Sequence, residues 1–441
     1  MQGMHTMLKK LSFAAALALA ANVTSAAQAA IAPQDAMATW YRMTLELVRH
    51  TATYTPPVAS RAFAYLGVTA FEAVASGSDD LQSLAGQLNG LTPPPPREVN
   101  QMYDEGVVLQ AALARSVAAF FQNTGPTGQR ALASLATKQQ AKAADGVPSD
   151  VVARSESYGR AVADHIIAWS LDDGGAVIEN MGFPYDYAVT EGPSHWVPTN
   201  LVRQQQVPLL PNWGANRTFA MPVGSSCPVA PHPDYSEDPA SAFFAEAMEV
   251  YDATTKLTPE KIHIARSWSD DPMLSTTPPG HWISIARQIL ERDLAPLELQ
   301  VETMAKLGVG LADAFIGCWD AKYQYDLLRP ITYIRRVIDP KWESLLNTPP
   351  FPEYPSGHST QSGTAEVILT DLFGTDFAFD DQTMVPDGLN PRSFTNFREA
   401  AEEAGMSRLY GGIHFRSAIV VGLEQGRCIG AYTIALKTRS E

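Results

Sequence analysis

The strongest constraint on how this chain folds is a 3.6-residue hydrophobic period that recurs over most of its length. DAMATWYRMTLELVRH (35–50) and PVASRAFAYLGVTAFEAVAS (57–76) place apolar side chains at i, i+3, i+4 and i+7, the spacing that gives a helix one buried stripe. Strict alternation, the mark of half-buried strands, is scarce, and nothing repeats at 20 to 50 residues. The chain therefore reads as all-α, most simply helical bundles sharing one body.

Punctuation in the sequence divides that body. Consecutive prolines cannot continue a helix, so LTPPPP (91–96) is a hard stop. Two or three helices follow between Glu98 and about Leu171, ending at DDGG (172–175). From 172 to 240 the chain is rich in Gly, Pro, Asn and aromatic residues without a sustained period, which predicts an irregular segment wrapped over a packed scaffold. Helical patterning resumes near Ala240, with breaks expected at PPG (278–280), TPPFPEYP (348–355) and the loop 376–394. The expected organisation is a leader over 1–29, an N-terminal helical region over 30–171, the wrapping segment over 172–240 and a C-terminal catalytic bundle over 241–441.

The leader expectation rests on Lys9 and Lys10, the apolar run LSFAAALALAA and the small-residue stretch ending in Ala27-Gln28-Ala29. That is the order of a secretory signal, which predicts export to a periplasmic or secreted location. No later apolar run is expected to reach the ~20 residues that span a bilayer. The chain carries 32 basic and 47 acidic side chains, a formal charge of −15 that becomes −17 once a leader with two lysines and no acid is removed. A general nucleic-acid binder needs a broad basic surface, so that class is excluded. Three cysteines, Cys227, Cys318 and Cys428, permit at most one internal disulfide. The helical N-terminal half offers surface for a homo-oligomer.

Against that acidic background, three short segments concentrate cations and histidines. In WDAKYQYDLLRP (319–330), Lys322 and Arg329 lie seven apart; on one helix that is about two turns, and they share a face with Trp319 just before them. In FPEYPSGHSTQSGTAEVILTDLF (351–373), Pro355 ends one segment and Ser356-Gly357-His358 open a helix, whose free N–H groups and positive dipole end suit an anion. An ordinary serine cap beside a surface histidine explains the same residues. In SRLYGGIHFR (407–416), Arg408 and His414 flank a Gly-Gly bend. Lys322, Arg329 and Arg408 supply fixed positive charge while Ser356 and Gly357 supply neutral donors, an inventory suited to a tetrahedral oxyanion. His414 and His358 then stand as candidates to bond its central atom and to move a proton opposite it.

Lys322-x6-Arg329-Pro330, Pro355-Ser356-Gly357-His358 and Ser407-Arg408-x5-His414 resemble, in order and spacing, the three-part signature shared by type 2 phosphatidic-acid phosphatases and vanadium-dependent haloperoxidases. The similarity is strongest over about 260–435, and looser likeness to bacterial haloperoxidases includes PPGHW (278–282) and LLPNWG (209–214). The resemblance implies an all-helical fold, two four-helix bundles in one compact body, with vanadate as cofactor. It also implies that Lys322, Arg329, Ser356, Gly357 and Arg408 hold the equatorial oxygens and that His414 is the axial vanadium ligand. By the same resemblance His358 is the acid–base group and Lys322 polarises peroxide for attack by a halide. Hydrogen peroxide and a halide, iodide or bromide, would be the substrates and hypohalous acid the product.

Trp319 and Phe351 match positions that resemble the apolar halide-side wall of haloperoxidases, although both also suit core packing. Phe351 is similar to the residue of chloride-oxidising fungal relatives, whereas Ser359-Thr360-Gln361-Ser362 looks more like bacterial iodide enzymes. One departure stands out. The family pattern often places an aspartate four residues after the ligand histidine, and here that residue is Ala418. A ligand histidine needs a partner for its other ring nitrogen, and a backbone carbonyl or another carboxylate, such as Asp270 or Asp271, is expected to serve. The alternative activity is an acid phosphatase working through a phosphohistidine on His414, and a third reading is a non-catalytic oxyanion binder. The other histidines, His50, His165, His195, His232, His263 and His281, form no metal-binding spacing and are expected in surface or core roles. Cys318, beside Trp319, is expected to be a buried thiol.

Overall fold

Most helices begin where the sequence supplies a proline or a capping side chain. The computed structural model describes residues 32–178, 187–199 and 207–440, so the leader expectation lies outside the described residues. Among them are α1 (Pro33–His50), α2 (Pro56–Ala75), α3 (Glu105–Phe120), α4 (Pro126–Ala143) and α5 (Ser149–Ser170). The next helices are α6 (Ala242–Thr255), α7 (Pro259–Ser267), α8 (Thr277–Arg292), α9 (Leu297–Tyr325) and α10 (Pro330–Val337). The last are α11 (Gly357–Phe373), α12 (Phe397–Tyr410) and α13 (Arg416–Ile434). Proline sits in the first turn of α1, α2, α4, α7, α8 and α10, where its missing N–H costs nothing. Asp104, Ser241, Thr258 and Asn396 cap α3, α6, α7 and α12 with side-chain oxygens. PPG (278–280) therefore opens a helix rather than breaking one. The loop 376–394 contains a short antiparallel pair, β1 (Phe379–Asp381) and β2 (Arg392–Phe394), with Phe379 opposite Phe394.

The molecule is organised around the contact of α2 with α9, its most extensive helix pair. The two backbones approach so closely that a Cβ on Gly67 would lie 2.5 Å from the Met304 carbonyl oxygen, and one on Gly308 would lie 2.6 Å from that of Phe63. Helices α1, α3 and α5 gather on the α2 side, with α4 outside them, while α11, α12 and α13 gather on the α9 side. By length and composition α2, with a mean hydropathy of 1.2, does reach what a membrane span requires, contrary to the expectation of no such run. It is buried along its length by other helices, as a core helix is.

Between α5 and α6 the described residues carry only two single-turn 3₁₀ segments, Trp213–Ala215 and Gly224–Ser226. Specific polar contacts hold this stretch down. The buried Asp313 carboxylate on α9 accepts the backbone N–H groups of Phe219, Ala220 and Met221 at 2.6, 2.8 and 2.9 Å. A disulfide joins Cys227 to Cys428 on α13, 201 residues away, and Cys318 remains a buried free thiol. Replacing Asp313 by alanine orphans these three donors, two of them buried and the Ala220 N–H half-buried, each worth about 1–3 kcal/mol. The expected result for Asp313→Ala in denaturant unfolding is a loss of at least about 3 kcal/mol; an unchanged midpoint would show that the loop does not depend on this carboxylate.

Candidate active site

Two bends, rather than one helix face, bring Lys322 and Arg329 together. The expected common helix ends at Tyr325, because Asp326 turns left-handed (φ 46°) and its N–H closes back on the Lys322 carbonyl at 2.9 Å. Arg329 is extended and caps α10. The physical reason was in the sequence: Pro330 disfavours helical backbone at the residue before it. Arg329 thus points back across the bend. Its Nε donates to the Phe351 carbonyl at 2.9 Å, and its Nη1 donates to the Ile413 carbonyl at 2.9 Å and reaches His414 Nε2 at 3.2 Å. Arg408, near the end of α12, donates through Nη1 to the Trp268 carbonyl.

Arg329, Lys322 and Arg408 are 0%, 0% and 2% exposed. Burial lowers both guanidinium pKa values to about 10, which leaves them charged at neutral pH. Among the described residues, Arg329 Nη2 and Arg408 Nε are buried donors without a partner. Lys322 behaves differently from its expected role. Its ammonium donates to the carbonyls of Pro352 (3.0 Å), Glu353 (2.9 Å) and Pro355. All three of its protons are thereby engaged, and burial lowers its pKa to about 7. In this structure Lys322 fixes the 352–355 turn and does not line the cleft.

Ser356 caps α11, accepting from Ser359 N at 3.4 Å and Ser359 Oγ at 3.0 Å. Gly357 and His358 follow in the first turn and line a cavity of about 310 Å³, together with Arg408, His414, Trp319 and Phe351. First-turn N–H groups lie before the intrahelical ladder and face outward with the positive end of the dipole. The Trp319 and Phe351 rings meet at 4.9 Å, and Trp319 Nε1 donates to the Leu209 carbonyl at 3.1 Å. Leu209, in the LLPNWG stretch, thus anchors the wrapping segment against the apolar side of the cleft. The Arg329 guanidinium lies over the Phe351 ring at 4.9 Å, so this wall carries positive charge on its face.

The partner of His414 is another carboxyl group, as expected, but it is Glu353 rather than Asp270 or Asp271. His414 Nδ1 donates to Glu353 Oε1 at 2.8 Å, and the same oxygen accepts Phe415 N at 2.8 Å. The sequence does carry a signal: Glu353 is the single acid in the apolar run PPFPEYP, three residues before Ser356. Burial, and then the charges of Arg329, Lys322 and Arg408, hold His414 well below the usual imidazole range. The ring is therefore neutral with its proton on Nδ1, which leaves the Nε2 lone pair as a donor. Burial pushes the Glu353 carboxyl up to about 8 against the pull of Arg329 and Lys322.

Asp270 serves the other histidine. Its Oδ2 lies 3.4 Å from His358 Nε2, and its Oδ1 is 2.8 Å from His281 Nδ1. His281 Nε2 in turn meets Asp381 Oδ2 at 2.8 Å, and the ring stacks on Trp268 at 4.3 Å. The histidine of PPGHW is thus a core residue, as expected, but one coupled to the site. Burial disfavours its charge, yet Asp270 and Asp381 raise its pKa to about 10. For Asp270 burial favours the neutral form, but His281 and His358 hold it below the usual carboxylate range. Burial, then the Arg408 charge, lowers His358 to about 4.

Fold and cleft define a helical protein with a buried, cationic oxyanion site. The model of the VCPO second helical-bundle domain matches residues 302–440. A solved bacterial vanadium-dependent iodoperoxidase superposes with a TM-score of 0.84 at 37% identity, covering 92% of this chain and 97% of that one. A bacterial vanadium-dependent chloroperoxidase in its holo form gives a TM-score of 0.66 over 93% and 94% of the two chains, at 16% identity, a likeness of fold. The vanadium chloroperoxidase of Curvularia inaequalis is 33% identical over 135 residues, which is 25% of this chain and only 22% of that relative. The chain belongs to the vanadium-dependent haloperoxidase family.

If Glu353 orients His414, Glu353→Ala should weaken equilibrium binding of vanadate to the apoprotein by about 10- to 100-fold. Glu353→Gln, whose amide oxygen still accepts from Nδ1, should retain more affinity. Equal affinity in Glu353→Ala and the parent would remove Glu353 from the site.

Proposed function

We propose that this protein is a vanadate-dependent haloperoxidase that oxidises iodide or bromide with hydrogen peroxide to hypohalous acid. The observation that carries the reading is a neutral His414, its Nδ1 fixed by Glu353 and its Nε2 beside Arg329, in a buried cleft with spare cationic donors. These residues fit vanadate on their own chemistry. Arg329 Nη2 and Arg408 Nε are buried donors in need of an acceptor, the first turn of α11 adds N–H groups, and a neutral imidazole nitrogen can bond a metal. Arg329, Arg408, Ser356 and Gly357 would hold the oxygens, and His414 Nε2 would be the vanadium ligand. When bound, vanadate supplies Lewis-acid activation of peroxide.

The chain supplies the rest. Lys322 fixes the turn that carries Glu353 into Ser356, and through that turn it sets where the oxyanion sits. Its direct contact with peroxide, implied by the resemblance, requires exchange of one of its three carbonyl partners. The Asp270 carboxylate, 3.4 Å from His358 Nε2, favours the proton on that nitrogen, so Nδ1 would be the basic nitrogen that accepts a proton from hydrogen peroxide. Trp319 and Phe351 exclude water and offer a weakly hydrated halide an apolar surface beside the Arg329 charge. The likeness to an iodoperoxidase over almost the whole chain supports iodide as a substrate. We further propose that the protein is exported, a reading supported by the Cys227–Cys428 disulfide.

The test is halide oxidation by purified protein loaded with vanadate. Peroxide with iodide or bromide should give oxidised halogen; hydrolysis of phosphate esters without halide oxidation would favour the phosphatase alternative. His358→Ala should lower kcat/KM for peroxide by about 10²- to 10⁴-fold. His358 accepts a proton only when neutral, so the parent should lose kcat/KM as pH falls through the region of its pKa, about 4. That acid limb should vanish in His358→Ala, and its persistence would assign the limb to another group.

A further inference from the structure

The loop Ser269–Leu274 forms one lip of the cleft, and its tip carries the thioether of Met273. Asp270 and Met273 both adopt left-handed backbone (φ 52° and 68°), and Leu274 N and Ser275 N fold back onto the Asp271 carbonyl at 3.1 and 3.0 Å. This turn sends Asp270 inward to His358 while Met273 and Leu274 stay 49% and 67% exposed. Met273 lines the same cavity as His358 and His414. Among the described residues Met273 and Met102 are the two exposed methionines, and Met102 is the more exposed, at 68%. Met102 precedes α3 at the far end of α2: Arg97, five residues earlier, contacts the Ala73 carbonyl, whereas Thr55 and Pro56, at the start of α2, line the cleft. The 20 residues of α2, about 30 Å of helix, thus run between the end near Arg97 and the end at the cleft.

We propose that Met273 is a site of self-modification, oxidised to the sulfoxide by hypohalous acid leaving the cleft. The inference rests on the haloperoxidase function proposed above. The sulfur lone pair attacks the halogen of HOX, giving a halosulfonium ion and hydroxide. Water then adds to sulfur and halide departs, so that thioether and HOX become sulfoxide, halide and one proton. Sulfur loses two electrons and the halogen gains them, which returns the halide for another turnover. The change places a polar oxygen on the exposed Met273–Leu274 tip of the lip. Exposure alone would favour Met102, so preference for Met273 identifies the product at its source.

The experiment is peptide mass mapping of the vanadate-loaded enzyme during turnover with peroxide and iodide, and separately bromide, with oxidised halogen measured in parallel. Met273 should gain one oxygen at least about threefold faster than Met102. Reagent hypohalite added from outside should modify Met102 at least as fast as Met273, and peroxide without halide should modify neither preferentially. Met273→Leu should keep its initial halide-oxidation rate within about twofold, since the residue touches none of the reacting groups. Oxidised halogen with Met273 and Met102 modified alike, or equal Met273 oxidation without halide, overturns this inference alone. Absence of oxidised halogen overturns the function itself and the inference with it.

Discussion

Three buried cations around one histidine govern this structure. Lys322, Arg329 and Arg408 are almost fully removed from water, and uncompensated charge in such a place is strongly unfavourable. The protein meets that demand unevenly. Lys322 is satisfied by a ring of carbonyls, whereas Arg329 and Arg408 retain donors without partners among the described residues. Glu353 is tied to His414 and Phe415, and Asp270 and Asp271 lie near Arg408 without accepting from its Nε. The spare donors suit the oxyanion proposed above, and the neutral His414 beside them would be its ligand.

The fold serves this arrangement by delivering each group from a different element. Helix α9 brings Trp319 and Lys322, the bend before α10 brings Arg329, and the 351–356 turn brings Phe351, Glu353 and Ser356. The first turn of α11 brings His358, and α12 with its glycine bend brings Arg408 and His414. Contacts that look remote align them. Gln425 on α13 donates to the Cys227 and Gly317 carbonyls, and Thr360 Oγ1 donates to Gln425 Oε1, joining α9, α11, α13 and the wrapping segment. A Cβ on Gly422 would lie 2.8 Å from the Ser356 carbonyl oxygen, so α13 lies directly behind the cap of the oxyanion helix.

Helical periodicity made the all-α architecture legible, because one buried stripe per helix is a local property of sequence. The cations and histidines were legible because each lies in a short segment with its own signature. Their partners were not, since pairing is set by tertiary approach. Glu353 reaches His414 across 61 positions, and Asp381 reaches His281 across 100. Ala418 suggested a missing carboxylate, when the carboxylate had moved to another segment and the 418 carbonyl instead accepts Ser356 N at 3.0 Å. The Lys322–Arg329 spacing misled for a local reason: seven residues suggest a shared helix face, but Pro330 outweighs that suggestion. PPG misled in the same way, since proline stops a helix in its interior and starts one at its first turn.

As proposed above, His414 Nε2, with the ring proton held at Nδ1 by Glu353, is the vanadium ligand. X-ray absorption at the vanadium edge, on parent and His414→Ala proteins brought to equal vanadate occupancy, tests it most directly. The parent should show one histidine nitrogen in the vanadium shell, absent from the variant. Identical all-oxygen shells in both proteins would contradict it.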